Sequence, residues 1–209
     1  MRSMLAAIFA VLLLTATAIA QPPPGQLERG ASESLVAFKA LVTAKQNYKE
    51  MGFESMAELD RMSPGIPMQV FMVPLDRLQG YQSGMAPEPL LVDTKHALYP
   101  ILVDTQARSS IMMSEVQGSW KAVSFGSPRM IRMLSAARAS VASGAGIPLS
   151  SVFLIEVPAL NLYLLSYQVA GVTRAAGVKE DGGTTPIRPL SAVFADLVPY
   201  AKAHDGLPR

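Results

Sequence analysis

Hydrophobic positions change their period several times along the chain, and the clearest change lies between Ala97 and Gly126. There they fall into three short runs rich in β-branched and aromatic residues, 98–103, 109–116 and 120–125. Asp104-Thr105-Gln106 and Gln117-Gly118-Ser119 separate the runs, and both triplets are polar and turn-compatible. Runs this close leave no room for a crossover helix, so they predict an antiparallel meander.

The flanks carry helical spacing. Ser32 or Ser34 is positioned to cap a helix containing Leu35, Phe38, Leu41, Val42 and Lys45, with Gly52 as its stop. Ser55-x-x-Glu58 is a capping box for a short helix to Met62, ended by Pro64-Gly65. Residues 67–73 are strand-like, and Pro74 opens a helical turn through Leu75, Leu78 and Tyr81. Residues 84–89 predict a loop, and 90–92 a short apolar run.

After the meander, Ser127-Pro128 starts a helix whose apolar face is Met130, Ile131, Leu134, Ala137 and Val141. Residues 152–157 and 162–167 predict two more strands, and 171–185 a mobile loop or ragged hairpin. Pro189 starts a last helix with Leu190, Val193, Phe194, Leu197 and Val198 inward, which Pro199 should kink or end.

This order predicts an α+β fold: an antiparallel sheet of meander plus hairpin, with helices packed mainly on one face. The Pro128 and Leu190 helices are expected to cover it together. Val70-Phe71-Met72-Val73-Pro74 is echoed by 152–158, and Leu-Val-Asp-Thr occurs at Leu91 and at Leu102. Duplication, or the shared form of buried strands that end in proline or an Asx turn, accounts for both echoes.

The first residues stand apart. Arg2, the apolar stretch 4–14 and Ala18-Ile19-Ala20 form the pattern of a secretory signal peptide over 1–20. An uncleaved anchor is the rival, but the apolar stretch is short for a span of ~20 residues. Residues 21–30, with three consecutive prolines, predict a tether, and 31–209 one domain. No later stretch is apolar enough to cross a bilayer, so a periplasmic or secreted location is expected after the signal is removed.

Composition narrows the chemistry. The absence of cysteine removes disulfides, thiolate metal sites and cysteine nucleophiles. Eighteen basic and sixteen acidic residues give a formal net charge of +2, with both signs scattered. That pattern gives no footprint for nucleic acid, and it favours a protein partner or a small apolar ligand.

Candidate catalytic residues are few. His96 lies near Asp93, with Asp104 beyond the next run, so a hydrolase or isomerase would use His96 with Asp93 or Asp104. Glu156 interrupts an apolar strand and is the other carboxylate placed for acid–base work. His204 belongs to a polar tail and is expected at the surface.

No G-x-S-x-G elbow and no zinc or calcium motif is present, and neither a metal nor a cofactor is expected. The many methionines lack copper-site spacing and fit an adaptable apolar surface better. Arg108 is expected to pair with Asp104 across the hairpin, and Trp120, the one tryptophan, to anchor the core against the Pro128 helix. The leading expectation is a non-enzymatic exported domain that binds a partner or apolar ligand.

Overall fold

In a computed structural model, residues 25–204 are described; residues 1–24 and 205–209, and with them the leader and the proline run, lie outside that description. The elements are α1 (Gln26–Lys45), β1 (Met62–Pro64), β2 (Met68–Met72), α2 (Leu75–Gln79), β3 (Val92–Val103), β4 (Gln106–Val116), β5 (Ser119–Gly126), α3 (Pro128–Ala145), β6 (Phe153–Val157), β7 (Leu162–Val169), β8 (Val172–Gly177), β9 (Arg188–Pro189) and α4 (Leu190–Ala203).

The fold is α+β, and the expected meander is present as β3, β4 and β5, consecutive antiparallel neighbours. The sheet is larger than a meander plus hairpin. Its nine strands run in the order β5-β4-β3-β2-β6-β7-β8-β9, with β1 paired to β3.

The two halves meet at the parallel pair β2 and β6, where Val70 faces Leu154 and Phe71 faces Ile155. These are the strands whose sequences echo each other. Both run into a Val-Pro step, and Val73 donates its N–H to the carbonyl of Glu156 at 2.9 Å. Pro74 caps α2 and Pro158 opens a short helical turn, so each proline ends its strand where no further ladder donor is needed. Each half then folds outward from this pair through antiparallel neighbours.

Alternation divides the core between the two faces. Met68, Val70, Leu98, Leu154 and Leu165 pack against Ile131, Leu134 and Val141 of α3. On the opposite face, Phe71, Ile155 and Leu164 pack against α2 and α4 through Leu78, Leu190 and Phe194. The same face continues across the meander, where Tyr99, Ile101, Ile111 and Met113 pack against Ala31, Phe38 and Val42 of α1. Three helices therefore share one face. α3 and α4, expected together, lie on opposite faces because neighbours such as Leu154 and Ile155 point apart.

Several local expectations change. The tether reading to residue 30 gives way from Gln26 onward to α1, whose first turns bury Leu27 and Ala31. Ser32 and Ser34 do not cap it: each hydroxyl donates back one turn, to the carbonyls of Glu28 (2.9 Å) and Gly30 (2.6 Å). The helix ends at Lys45, with Gln46 in the left-handed region.

The 171–185 stretch supplies β8 and a bridge from Val178 to Thr184. α4 does not stop at Pro199 but runs through it to Ala203, and His204 is half-buried at its C-cap. Arg108 pairs with Glu54 (2.8 Å) and the buried Glu58 (3.1 Å), leaving Asp104 to Arg61 at 2.6 Å.

Candidate functional site

α1 covers the β3–β5 half of its face and α4 covers the β6–β8 half. Between them the sheet is left open, and a groove of about 1010 Å³ runs along that strip. Its floor includes Gln69, Ala97, Tyr99 and Phe153, its α1 wall Leu27 and Glu28, and its meander wall Glu115 and Trp120. The loops at Ile66-Pro67 and Ser150-Ser151 close one end.

The floor follows from strand alternation. Gln69 and Ala97 are register partners, and both lie opposite the Met68–Leu98 pair that packs under α3. Phe153 meets Phe71 edge to face at 5.3 Å between ring centroids, joining the groove floor to the core beneath α4. Tyr99 is only 1% exposed, and its hydroxyl has no hydrogen-bond partner among the described residues. Burial raises the Tyr99 pKa, and the negative charge of Glu28 raises it further. The phenol is therefore neutral at any ordinary pH.

A local irregularity in β3 shapes one wall. Val70 pairs with His96 but Phe71 pairs with Asp93, so Thr94 and Lys95 bulge from the ladder. Lys95 takes a φ of 56°, and the Asp93 carboxylate accepts from both its backbone N–H (2.9 Å) and its ammonium (2.7 Å). Thr94 donates its hydroxyl to the Val70 carbonyl at 2.6 Å, satisfying an acceptor that the bulge would strand. Burial opposes the charge on Asp93, but the hydrogen bonds from Lys95 and Gln69 outweigh it and hold the carboxyl below its ordinary value.

The residues singled out from sequence separate in space. His96 and Asp93 both line the groove, but Asp93 is engaged by Lys95 and Gln69. The His96 backbone N–H donates to Thr94 Oγ1 at 3.2 Å, and no carboxylate or serine hydroxyl is shown within reach of its ring among the described residues. Asp104 sits at the far hairpin turn with Arg61. Glu156 shares the face of Leu154, across from Tyr163, and burial raises its carboxyl pKa. No group of three or more metal-ligating side chains occurs among the described residues.

Sequence reasoning passed over the groove's own components: Gln69, Tyr99, Phe153, Glu28 and Glu115. Each has an ordinary strand or helix reading, and only the separation of α1 from α4 brings them to one cavity. By its place in the sequence Trp120 reads as a core anchor against the Pro128 helix. It is partly exposed, packs against the α1 cluster rather than α3, and lines the groove.

No protein-family model matches this chain, and no curated protein or solved structure matches it.

Proposed function

We propose that this chain is a non-enzymatic, exported domain of the cell envelope, periplasmic or secreted, that binds an apolar ligand in the groove between α1 and α4. The observation that carries this reading is the groove itself. Its size reaches the top of the roughly 300–1,000 Å³ range of small-ligand pockets. About half of its lining is aliphatic or aromatic, Leu27, Ile66, Ala97, Trp120 and Phe153 among it, and the rest is polar or charged. The leader pattern of residues 1–20 supports the export part of the reading, and an N-terminus at Gln21 in the mature protein is its check by mass spectrometry.

Trp120 is the single tryptophan and lies in the groove wall, so it reports directly on occupancy. Titration with the neutral dye N-phenyl-1-naphthylamine should quench Trp120 by energy transfer, saturably and with one dye per chain. A linear, unsaturable response up to the solubility limit of the dye sinks the proposal. The rival reading, a hydrolase using His96 with Asp93, rests on the presence of both in the groove. It predicts ester or amide turnover that His96→Gln abolishes, whereas the binding reading predicts saturable dye binding by the parent chain without such turnover.

A further inference from the structure

Large hydrophobic side chains reach solvent at nine places among the described residues, and four of them gather at one end of the sheet: Ile66, Leu149, Val169 and Val172, each 37 to 46% exposed. Strand direction brings them together. β2 and β6 are parallel, so the loops that lead into them, carrying Ile66 and Leu149, lie at the same end. β7 runs antiparallel to β6, with Phe153 opposite Ser166, so the β7–β8 turn returns to that end as well. Arg138 holds the first two loops side by side, because its guanidinium reaches the carbonyls of Ile66 and Leu149 at 2.6 and 2.7 Å. Ile66, Ser150 and Gln168 also line the groove, so the cluster borders it.

Two further observations say what covers this end. The segments that build it, 65–67, 146–151 and 168–173, contain no Asp, Glu, Lys, Arg or His. Their backbone is also largely paired from within. Arg138 takes the carbonyls of Ile66, Pro67 and Leu149, the Ser151 N–H takes the carbonyl of Pro148, and the Ile147 N–H donates to Ala142. Pro67 and Pro148 have no N–H to pair. At the tip, Val169 pairs with Val172 around Ala170-Gly171, whose φ values of 49° and 75° make the tightest kind of hairpin turn. Exposed apolar patches mark protein or membrane contacts. A protein partner brings donors and acceptors of its own. Hydrocarbon brings none, so it admits only backbone that is paired internally and side chains without charge.

We infer that this end of the sheet is a membrane-contact surface, with Ile66, Leu149, Val169 and Val172 entering the boundary between headgroups and acyl chains of a lipid bilayer. It goes beyond the groove reading above and does not require it. The contact is peripheral, since no helix among the described residues is long and apolar enough to cross a membrane. Two charges border the tip. Glu88 accepts from the hydroxyl of Thr173, one pair inside it, at 2.7 Å, and Arg174 stands opposite Tyr167, two pairs inside. At ~3.4 Å per residue both lie within about 7 Å of the tip, at headgroup depth. Their charges cancel, so attachment should need no anionic lipid.

The test is flotation of the exported protein with neutral phosphatidylcholine vesicles, at low salt and at ~1 M salt, where the screening length falls to about 3 Å. The parent should float equally at both. Leu149→Asp with Val169→Asp should lower the partition coefficient about tenfold, whereas Val36→Asp and Val123→Asp, at exposed positions elsewhere, should leave it unchanged. Unchanged Trp120 emission in solution verifies the fold of each variant. All of them share one N-terminus, so any attachment through residues 1–20 cancels in the comparison. Because the chain has no cysteine, Leu149→Cys, Val169→Cys and Val123→Cys each accept a single environment-sensitive nitrobenzoxadiazole label. Vesicles should raise label emission about twofold at 149 and 169 and leave it unmoved at 123.

A parent that does not float overturns the inference, as does flotation lost at high salt or untouched by the double aspartate substitution. An equal label response at 123 and 169 overturns it by showing unspecific adsorption. Responses at 149 and 169 that grow with protein concentration in the absence of vesicles overturn it too, because a second copy of the chain would then cover these positions. Dye binding in the groove is measured without vesicles, so the two readings fail separately.

Discussion

Arg138 Nη1 donates to the carbonyl of Ile66 at 2.6 Å, tying α3 on one face of the sheet to the loop that closes the groove on the other. Arg138 is 3% exposed and binds only carbonyls: Ile66, Pro67 and, through Nε and Nη2, Leu149. No carboxylate pairs with it among the described residues, and burial pushes its pKa down to about 10. Three carbonyl dipoles take the place of a counter-ion and lock both end loops, 65–67 and 148–151, to one helix.

Arg138→Lys keeps the charge but loses the planar fork that reaches all three carbonyls. Leaving those acceptors incompletely paired should cost about 3 kcal/mol, given ~1–3 kcal/mol for each such group. Chemical denaturation followed by circular dichroism measures this. A midpoint equal to that of the parent chain would contradict the clasp.

Gly30→Ala separates intrinsic propensity from packing. In an exposed helix the change should stabilise by about 1 kcal/mol. Here a Cβ would stand 2.8 Å from the Trp120 carbonyl oxygen, so α1 or β5 must shift. The variant should be destabilised and its Trp120 emission displaced. Stabilisation with unchanged emission would mean that α1 does not lie this close to β5.

Trp120→Ala should cost about 2 kcal/mol, below the ~3–5 kcal/mol of a fully buried large aromatic, because the ring is partly exposed in the groove wall. The same variant should weaken groove binding, measured calorimetrically because the optical reporter is gone. Loss of stability without loss of binding would confine the residue to the core.

Glu156 gives a pH prediction. Burial raises its folded pKa above 4.5, so the folded state holds this proton to higher pH than the unfolded state. Stability should therefore fall as pH rises from about 4.5 through the raised folded value, then stay level. Glu156→Gln should remove that slope and raise the denaturation midpoint at neutral pH. A parent and variant with parallel profiles would show that the carboxyl is solvated in the folded protein.

The meander was legible because its turns are local: Asp104 and Gln117 take φ values of 58° and 51° at the hairpin tips that their polar triplets mark. α3 was legible from Pro128 in its first turn and from its apolar spacing, although Ser127 sits in the left-handed region and makes no side-chain cap. What joins the two halves was not, because β2 and β6 pair across more than eighty residues and their apolar runs fit several partners. The face of Phe125 was also hidden. Strict alternation opposes it to Trp120, but a register shift between Met112 and Met113 brings Trp120, Ala122 and Phe125 into one cluster. The groove was the least legible feature, since it is a gap between helices and no residue pattern announces a gap.

The most direct test of the groove as the binding site is an amide chemical-shift map of the protein with and without N-phenyl-1-naphthylamine. Shifts should be concentrated at Leu27, Gln69, Ala97, Tyr99 and Phe153, with Ile131 and Leu134 beneath α3 unmoved. Shifts centred on the α3 face, or none at saturating dye, would contradict it.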